Sequence, residues 1–512
     1  MVSNCIQVFW SAFKNRSQEI ALEIDDEEYS YQFLADKSRQ IRSVVEKYSD
    51  SKIVAFLSSK EVLTYSAIIG IMSSGKAYCP IGHKLPTKRK LKVLLESSAD
   101  TFIIPHKLLL KSQNLLKEMN KLNSNFTIVT DAKISENTSN SFPNLNFKSI
   151  HDVVVEAEKE IKIEWVAEDT IAYLLFTSGT TGKPKGVPIT HKSLNTYLSN
   201  VEKRCDFGQG LRYSQTFPLT FDLSVHDIFV CWRHNGCLIP IPDEKMISPA
   251  DFIKSKKIEI WFSVPSQISL LSKFGLLNQG NFPHIKLSLF CGEALPLDLA
   301  KRWMVASPQS KVFNLYGPTE ATIAISSYQL PENPDHIDSF GGVVSIGKVF
   351  EDHKFKILNG ELIVTGKQIA GNYWKRSEDP NPFSINKGHK SYKTGDIVDL
   401  QNGLLFYLSR KDNQVKINGN RIELEEISLV VRKLIPESEV QTVALHKNSG
   451  DSLHVFVVSK HNFNVGDLLK KVKNELPSYM IPKSIRKIDE LPLNQSGKVD
   501  TDILKKRLLD EV

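Results

Sequence analysis

Ten residues, Thr177-Ser-Gly-Thr-Thr-Gly-Lys-Pro-Lys-Gly186, hold three glycines, three threonines, one serine and two lysines. Glycine lets backbone N–H groups turn inward, and the hydroxyls and ammonium groups add donors, so such a loop is built to wrap a polyphosphate. It is not a Walker A loop, because Lys183 is followed by Pro184 where that motif needs Ser or Thr. Downstream, Asn314-Leu-Tyr-Gly-Pro-Thr-Glu320 offers an aromatic ring that can stack on a base, a Gly-Pro turn with exposed backbone donors, and a carboxylate suited to Mg²⁺ in phosphate company. Tyr392-Lys-Thr-Gly-Asp396 sets a carboxylate on a turn, a good bidentate acceptor for vicinal ribose hydroxyls. Leu491-Pro-Leu-Asn-Gln-Ser-Gly-Lys498 presents a lysine at a glycine turn. Each stretch alone could be a solvated surface turn; together they describe nucleotide chemistry.

The wording of these stretches says more than their chemistry. TSGTTGKPKG and NLYGPTE resemble the phosphate loop and adenine motif of the adenylate-forming (AMP-binding) superfamily of acyl-CoA synthetases, luciferases and peptide-synthetase adenylation domains. The resemblance extends over nearly the whole chain. It implies that Thr177, Ser178, Gly179, Thr180, Thr181, Gly182, Lys183, Lys185 and Gly186 wrap the phosphates of ATP, with Thr177 among the catalytic groups. Tyr316 would stack on adenine, Asn314 read its edge, Thr319 contact the α-phosphate and Glu320 hold Mg²⁺, with Leu315, Gly317 and Pro318 completing that wall. Gly292, Glu293 and Ala294 would line the same site from upstream. Asp396 would hold the ribose, assisted by Tyr407 and Arg410. Lys498 would be the catalytic lysine that bridges substrate carboxylate and phosphate. Asp412 matches the hinge of a mobile C-terminal domain, and Lys416 and Gly419 the segment that swings in for thioester formation. Ser409 stands where the superfamily more often has Gly.

The implied reaction is attack by a substrate carboxylate on the α-phosphorus of ATP, in line, with expulsion of pyrophosphate. A carboxylate is already ionised at pH 7, so the step needs charge stabilisation rather than a general base. The activated acyl group then passes to a thiol.

Phe221-Asp-Leu-Ser-Val-His-Asp227 bears on which carboxylate is used. In the superfamily, enzymes for α-amino acids keep an aspartate at the position of Asp222, paired with the substrate ammonium; a buried ammonium without such a partner costs several kcal/mol. The alternative reading of Asp222 is a helix cap. The substrate pocket implied by the resemblance comprises Asp222, Leu223, His226, Phe262, Leu289, Cys291, Leu315, Ile323, Ala324 and Lys498, mostly apolar and several bulky, which suits a small neutral side chain. FDLSVHDIF, LFCGEALP and YGPTEATIAI are most similar to D-alanine–carrier protein ligases. His226 and Phe262 depart from that pattern and are also compatible with a proline ring, as in prolyl–carrier protein ligases. His226 is equally readable as a core histidine. Alanine of either hand, or proline, is the expected substrate; a CoA synthetase for a small acid is the alternative activity.

These residues need a scaffold. Apolar spacing predicts helices over Ile6–Phe13, Phe33–Tyr48 and Val62–Met72 and strands over Ile53–Leu57, Ala77–Ile81 and Tyr173–Phe176, an alternation that means α/β layers. The polar stretch Asn137–Ser149 reads as a loop. Short strands at Phe355–Leu358, Glu361–Thr365 and Leu404–Leu408 suggest a small β-barrel. The expected fold is α/β: an N-terminal core over 1–409, made of two stacked α/β subdomains (1–170 and 171–335) and the barrel (336–409), then a small mobile α+β domain over 410–512. A length of 512 residues demands several cores. The net charge of +7, from 65 basic and 58 acidic residues, is spread along the chain without an aromatic-studded basic patch, which argues against nucleic acid. Six scattered cysteines, no signal-like N-terminus and no apolar run near the roughly 20 residues of a membrane span point to a cytoplasmic protein without membrane insertion. No carrier-like segment follows Lys498, so a stand-alone monomer serving a separate phosphopantetheinyl carrier protein is expected.

Overall fold

The computed structural model describes residues 1–122, 125–153, 163, 165–178, 184–376, 381–412, 414–445, 451–493 and 499–510. Contacts divide the chain into two compact units. The larger comprises Met1–His83, Leu94–Leu175 and Gly186–Ser409; the smaller comprises Lys84–Val93, Phe176–Lys185 and Arg410–Val512.

Two sheets dominate the first part of the chain. One has seven strands, in the order Leu145–Ser149, Phe126–Thr130, Thr101–Ile103, Ile53–Ser58, Ala77–Gly82, Ile171–Thr177 and Lys185–Thr190. Ile53–Ser58 is buried at every position, as a parallel strand covered on both faces must be. The other has nine strands, in the order Lys348–Val349, Ser326–Gln329, Lys311–Tyr316, Leu287–Phe290, Ile260–Ser263, Arg212–Gln215, Cys237–Pro240, Ile20–Ile24 and Glu27–Ser30. The helices expected near the N-terminus are found as Gln7–Arg16, Tyr31–Tyr48 and Val62–Ser73. The last two pack so closely that a Cβ on Gly70 would lie 2.8 Å from the Ser38 carbonyl oxygen.

A boundary at residue 170 does not separate these sheets. Strand Ile20–Ile24 pairs in parallel with Cys237–Pro240, Leu22 against Leu238, while Ile171–Thr177 joins the earlier sheet. Each sheet is completed by an apolar strand from the other's stretch of sequence: Ala21 and Leu22 in one, Ala172 to Leu175 in the other, all buried. Asn137–Ser149 is likewise not a loop. Ser135 caps a short helix, Glu136–Ser141, by accepting from the Thr138 N–H, and Leu145–Ser149 adds an edge strand that buries only its two ends. Over 336–409, where a small β-barrel is expected, the structure has a five-stranded sheet in the order His353–Leu358, Glu361–Gly366, His389–Gln401 and Phe383–Asn386, with Leu404–Arg410 also paired to His389–Gln401.

In the smaller unit, strands Glu439–Leu445, Ser452–Val458 and Ser484–Lys487 form one sheet. Strand alternation sends Val455 and Val457 to a core with Ile427, Val431 and Val472, while Phe456 faces Leu504 and Leu508. Among the described residues no helix is long and apolar enough to cross a membrane, and none of the six cysteines is in a disulfide.

Gly347 joins two parts of the larger unit: its carbonyl accepts from Leu405 N–H at 2.9 Å, and its φ is +77°. A Cβ there would lie 2.0 Å from the Ser327 carbonyl oxygen. Gly347→Ala is expected to cost about 2–4 kcal/mol, the sum of left-handed strain and a steric shift, read as a lower urea midpoint at unchanged slope.

Candidate active site

Strands Ile260–Ser263, Leu287–Phe290 and Lys311–Tyr316 run parallel and adjacent, with Phe262 opposite Leu289 and Phe290 opposite Asn314. Phe262, Leu289, Cys291, Asn314, Leu315 and Tyr316 thus lie toward the carboxyl ends of neighbouring strands, where open α/β sheets bind ligands. The chain then reverses into the antiparallel strand Ser326–Gln329, with Tyr316 opposite Ser326. A Cβ on Gly317 would meet the Ala324 Cα at 2.5 Å, so only glycine lets this turn close. Thr322 and Ile323 both adopt left-handed backbones, φ 59° and 69°, an unfavourable choice for β-branched residues.

The fully buried Gln368 holds that turn. Its Nε2 donates to the carbonyls of Ala321 and Thr322, both at 3.2 Å, and of Ala324 at 2.8 Å. Its Oε1 accepts from Asn200, and its backbone carbonyl accepts from the Thr322 hydroxyl at 2.6 Å. Ile323 and Ala324, both in the implied substrate pocket, are therefore placed by a residue that sequence reasoning missed; no motif or charge pattern around it gives a signal.

Asn314, Tyr316 and Asp396 are brought together in the larger unit. Asn314 Nδ2 donates to the Ser345 carbonyl at 2.9 Å, while its buried Oδ1 has no hydrogen-bond partner among the described residues, an acceptor suited to an amino group such as adenine's. The Tyr316 hydroxyl donates to Asp396 Oδ2 at 2.5 Å, and both residues are buried. Tyr407 is half-buried on its strand. Gly292 has φ +90°, Ala294 is half-buried, and the Glu293 carboxylate accepts from the Ser266 N–H at the start of helix Pro265–Lys273.

Asp222 and Glu320 are both buried acids of the larger unit. Asp222 opens helix Leu223–Arg233 without a side-chain capping bond, so capping does not account for it. Burial pushes its carboxyl up to about 6; the Thr319 hydroxyl and nearby N–H groups oppose that shift, and the Glu320 charge adds to it. Glu320 sits in the single turn Thr319–Ala321, and its Oε1 accepts from the Tyr373 hydroxyl at 2.9 Å. His226 lies against Phe262, ring centroids 4.6 Å apart, and its Nδ1 shares a 2.6 Å hydrogen bond with the Tyr197 hydroxyl. Burial pushes the imidazole down to about 3, so it is neutral, and its Nε2 has no hydrogen-bond partner among the described residues. The core reading of His226 and its place beside Phe262 thus hold together; Tyr197 was not foreseen.

The smaller unit carries the remaining described residues. The Thr177 hydroxyl donates to the Lys185 carbonyl at 3.4 Å, and Ser178 Oγ to the Arg421 carbonyl at 2.7 Å. Arg410 forks onto Asp412 at 2.9 and 2.6 Å and also reaches Gln414, so the residues expected at ribose and hinge are paired with each other. Lys416 lies in a hairpin, Gln414–Ile417 with Asn420–Glu423, whose Asn418-Gly419 turn has φ 49° and 75°, the type I′ pattern. Gly179, Thr180, Thr181, Gly182, Lys183 and Lys498 lie outside the described residues.

Residues 9–374 match the family model described as AMP-binding enzyme, and residues 435–498 that of the AMP-binding enzyme C-terminal domain. The chain belongs to the AMP-binding enzyme family. It is 31% identical over 468 residues to a D-alanine–D-alanyl carrier protein ligase of Bacillus cytotoxicus, covering 87% of this chain and 86% of that one. A ligase of the same description from Staphylococcus epidermidis is 28% identical, with 98% of each chain covered. The Vibrio cholerae adenylation domain AlmE, solved in complex with glycyl-adenosine-5'-phosphate, superposes with a TM-score of 0.89 at 29% identity, covering 100% of this chain and 98% of that one.

Two measurements check the site. Gln368→Ala should cost about 2–4 kcal/mol, because buried carbonyls lose their donor; Gln368→Glu keeps the volume without the donors and should be no milder. Asp222 binds its proton more tightly in the folded chain than its usual 3.8, so the charged form weakens folding above about pH 6 and the effect fades toward pH 4. Asp222→Asn should therefore stabilise the ligand-free protein by about 1–3 kcal/mol at pH 8 and much less at pH 4.5, measured by denaturant titration at the two pH values.

Proposed function

We propose that this AMP-binding enzyme activates a small neutral amino acid with ATP to an aminoacyl adenylate, then transfers the aminoacyl group to the phosphopantetheine thiol of a separate carrier protein. The observation that carries this is the buried carboxylate of Asp222, whose pKa is raised first by burial and then by the charge of Glu320, with the Thr319 hydroxyl opposing the rise. An apolar acid would leave that group buried without a counter-charge; an α-ammonium supplies one. The activity for which the D-alanine–D-alanyl carrier protein ligases are named and the glycyl adenylate held by AlmE support an amino acid of this size. So does the Tyr197–His226–Phe262 cluster, whose interlocked rings favour a hydrogen or a methyl over a larger side chain.

In this reading Tyr316 and Asn314 seat adenine, and Asp396 takes the ribose hydroxyls. Thr319 meets the α-phosphate, and Lys498 spreads the charge that builds between carboxylate and phosphate. No group of three or more metal-ligating side chains occurs among the described residues. That suits Mg²⁺, which is usually bound through one or two carboxylates together with substrate phosphates and water, so Glu320 would hold it there. When bound it supplies charge neutralisation at the phosphates. The protein would act in the cytoplasm as a monomer.

Pyrophosphate exchange across glycine, both alanine enantiomers, serine and proline, against short fatty and aryl acids, tests this. Exchange with one of the small amino acids is expected, with a loss of about 100- to 1,000-fold in Asp222→Ala, the consequence of leaving a buried ammonium unpaired. Exchange confined to the non-amino acids would instead establish a CoA synthetase.

A further inference from the structure

We infer that Tyr373 is a positioning residue for the carboxylate of Glu320, holding it in the orientation in which it can take a divalent cation beside the phosphates. The inference rests on the metal-holding role proposed for Glu320, and it concerns a tyrosine to which no sequence motif drew attention.

The segment from Ala370 to Trp374 grips the site at three points. Ala370 N–H donates to the Glu320 carbonyl at 2.9 Å, fixing the peptide. The Tyr373 hydroxyl donates to Glu320 Oε1 at 2.9 Å, fixing one carboxylate oxygen. Trp374 N–H donates to the carbonyl of Gly186, the last residue of the phosphate-loop motif, at 2.7 Å. Tyr373 is itself immobilised: it is 6% exposed and meets Phe383 edge-on at 5.1 Å, and Phe383 packs on Tyr392 at 4.9 Å. The phenol oxygen therefore approaches Glu320 from a ring held on a packed aromatic ladder.

The choice of donor fits the task. Glu320 is 1% exposed, and a buried carboxylate must be hydrogen-bonded. An arginine or lysine would satisfy it and also cancel its charge. A neutral phenol orients the carboxylate and leaves the charge for a cation. Magnesium demands near-ideal octahedral geometry, so the angle at which its protein oxygen is presented matters as much as its presence. Partners of this kind are typically worth roughly 10- to 100-fold in metal affinity or activity.

Tyr373→Phe removes only the hydroxyl. Mn²⁺ binding in the presence of ATP, followed by electron paramagnetic resonance on the full chain, should weaken by roughly 10- to 100-fold. The Mg²⁺ concentration that half-saturates pyrophosphate exchange should rise in step, with the amino-acid KM unchanged and the Tm lowered only modestly by the lost donor. In a Glu320→Gln background the same substitution should change nothing further. Phe383→Leu, which loosens the ring but keeps the hydroxyl, should lower Tm and move the metal dependence less than Tyr373→Phe does. Unaltered Mn²⁺ affinity in Tyr373→Phe, or a loss of activity at every metal concentration that tracks a lower Tm, would overturn the inference. The Mn²⁺–ATP measurement needs no amino acid. Weakened binding in Tyr373→Phe therefore upholds the role of Tyr373 even if no amino acid supports exchange and the proposed function falls.

Discussion

Two adjacent β-branched residues with left-handed backbones, Thr322 and Ile323, are the point on which the site turns, and one carboxamide holds them there. Each such residue costs of order 1–3 kcal/mol, and both fall where the chain reverses between the strands that carry Asn314 to Tyr316 and Ser326 to Gln329. Without Gln368 to collect the carbonyls of Ala321, Thr322 and Ala324, the reversal would relax. Glu320 on one side and Ile323 with Ala324 on the other would then lose their fixed positions together. The carboxylate proposed to hold metal and the proposed substrate wall are thus not independent features, because they share one strained turn.

The electrostatics follow from what the turn brings close. Asp222 and Glu320 are both buried, and the charge of Glu320 helps to raise the carboxyl of Asp222. Like charges in a low-dielectric interior are costly unless cations arrive. Under the proposed function a substrate ammonium and a divalent ion are such cations, and each would bind beside one of these two acids. Thr319 stands between the two demands: its hydroxyl engages Asp222, yet the superfamily places it on the α-phosphate.

Legibility in the sequence divided along a physical line. Residues whose chemistry is local to a motif could be read: the tyrosine and asparagine of NLYGPTE, the aspartate of YKTGD and the aspartate of FDLSV lie in the larger unit, buried and hydrogen-bonded to one another or to the backbone. Residues that act on a distant segment could not be read. Gln368, Tyr373 and Tyr197 reach partners 29 to 168 positions away, and nothing in their own neighbourhoods records it. The same limit explains the errors in architecture. A strand announces its apolar faces but not which sheet it completes, so the sheet membership of Ile20–Ile24 and Ile171–Thr177 was invisible. In Asn137–Ser149, polar composition concealed a serine-capped turn of helix and an edge strand that needs only two buried residues.

The pairing of Leu22 with Leu238 also sets an order of events during synthesis. The first strand of the chain leaves the ribosome long before its neighbour Cys237–Pro240 exists, roughly 10–40 s at ordinary elongation rates. For that interval one edge of the hairpin has no sheet to join, and the seven-stranded sheet is completed only after Ile171–Thr177 and Lys185–Thr190 have emerged. Pairings of such long sequence separation are slow to form and leave unpaired edges open to other chains. The nascent protein is therefore most in need of a chaperone while its N-terminal third is already translated and its active-site strands are not.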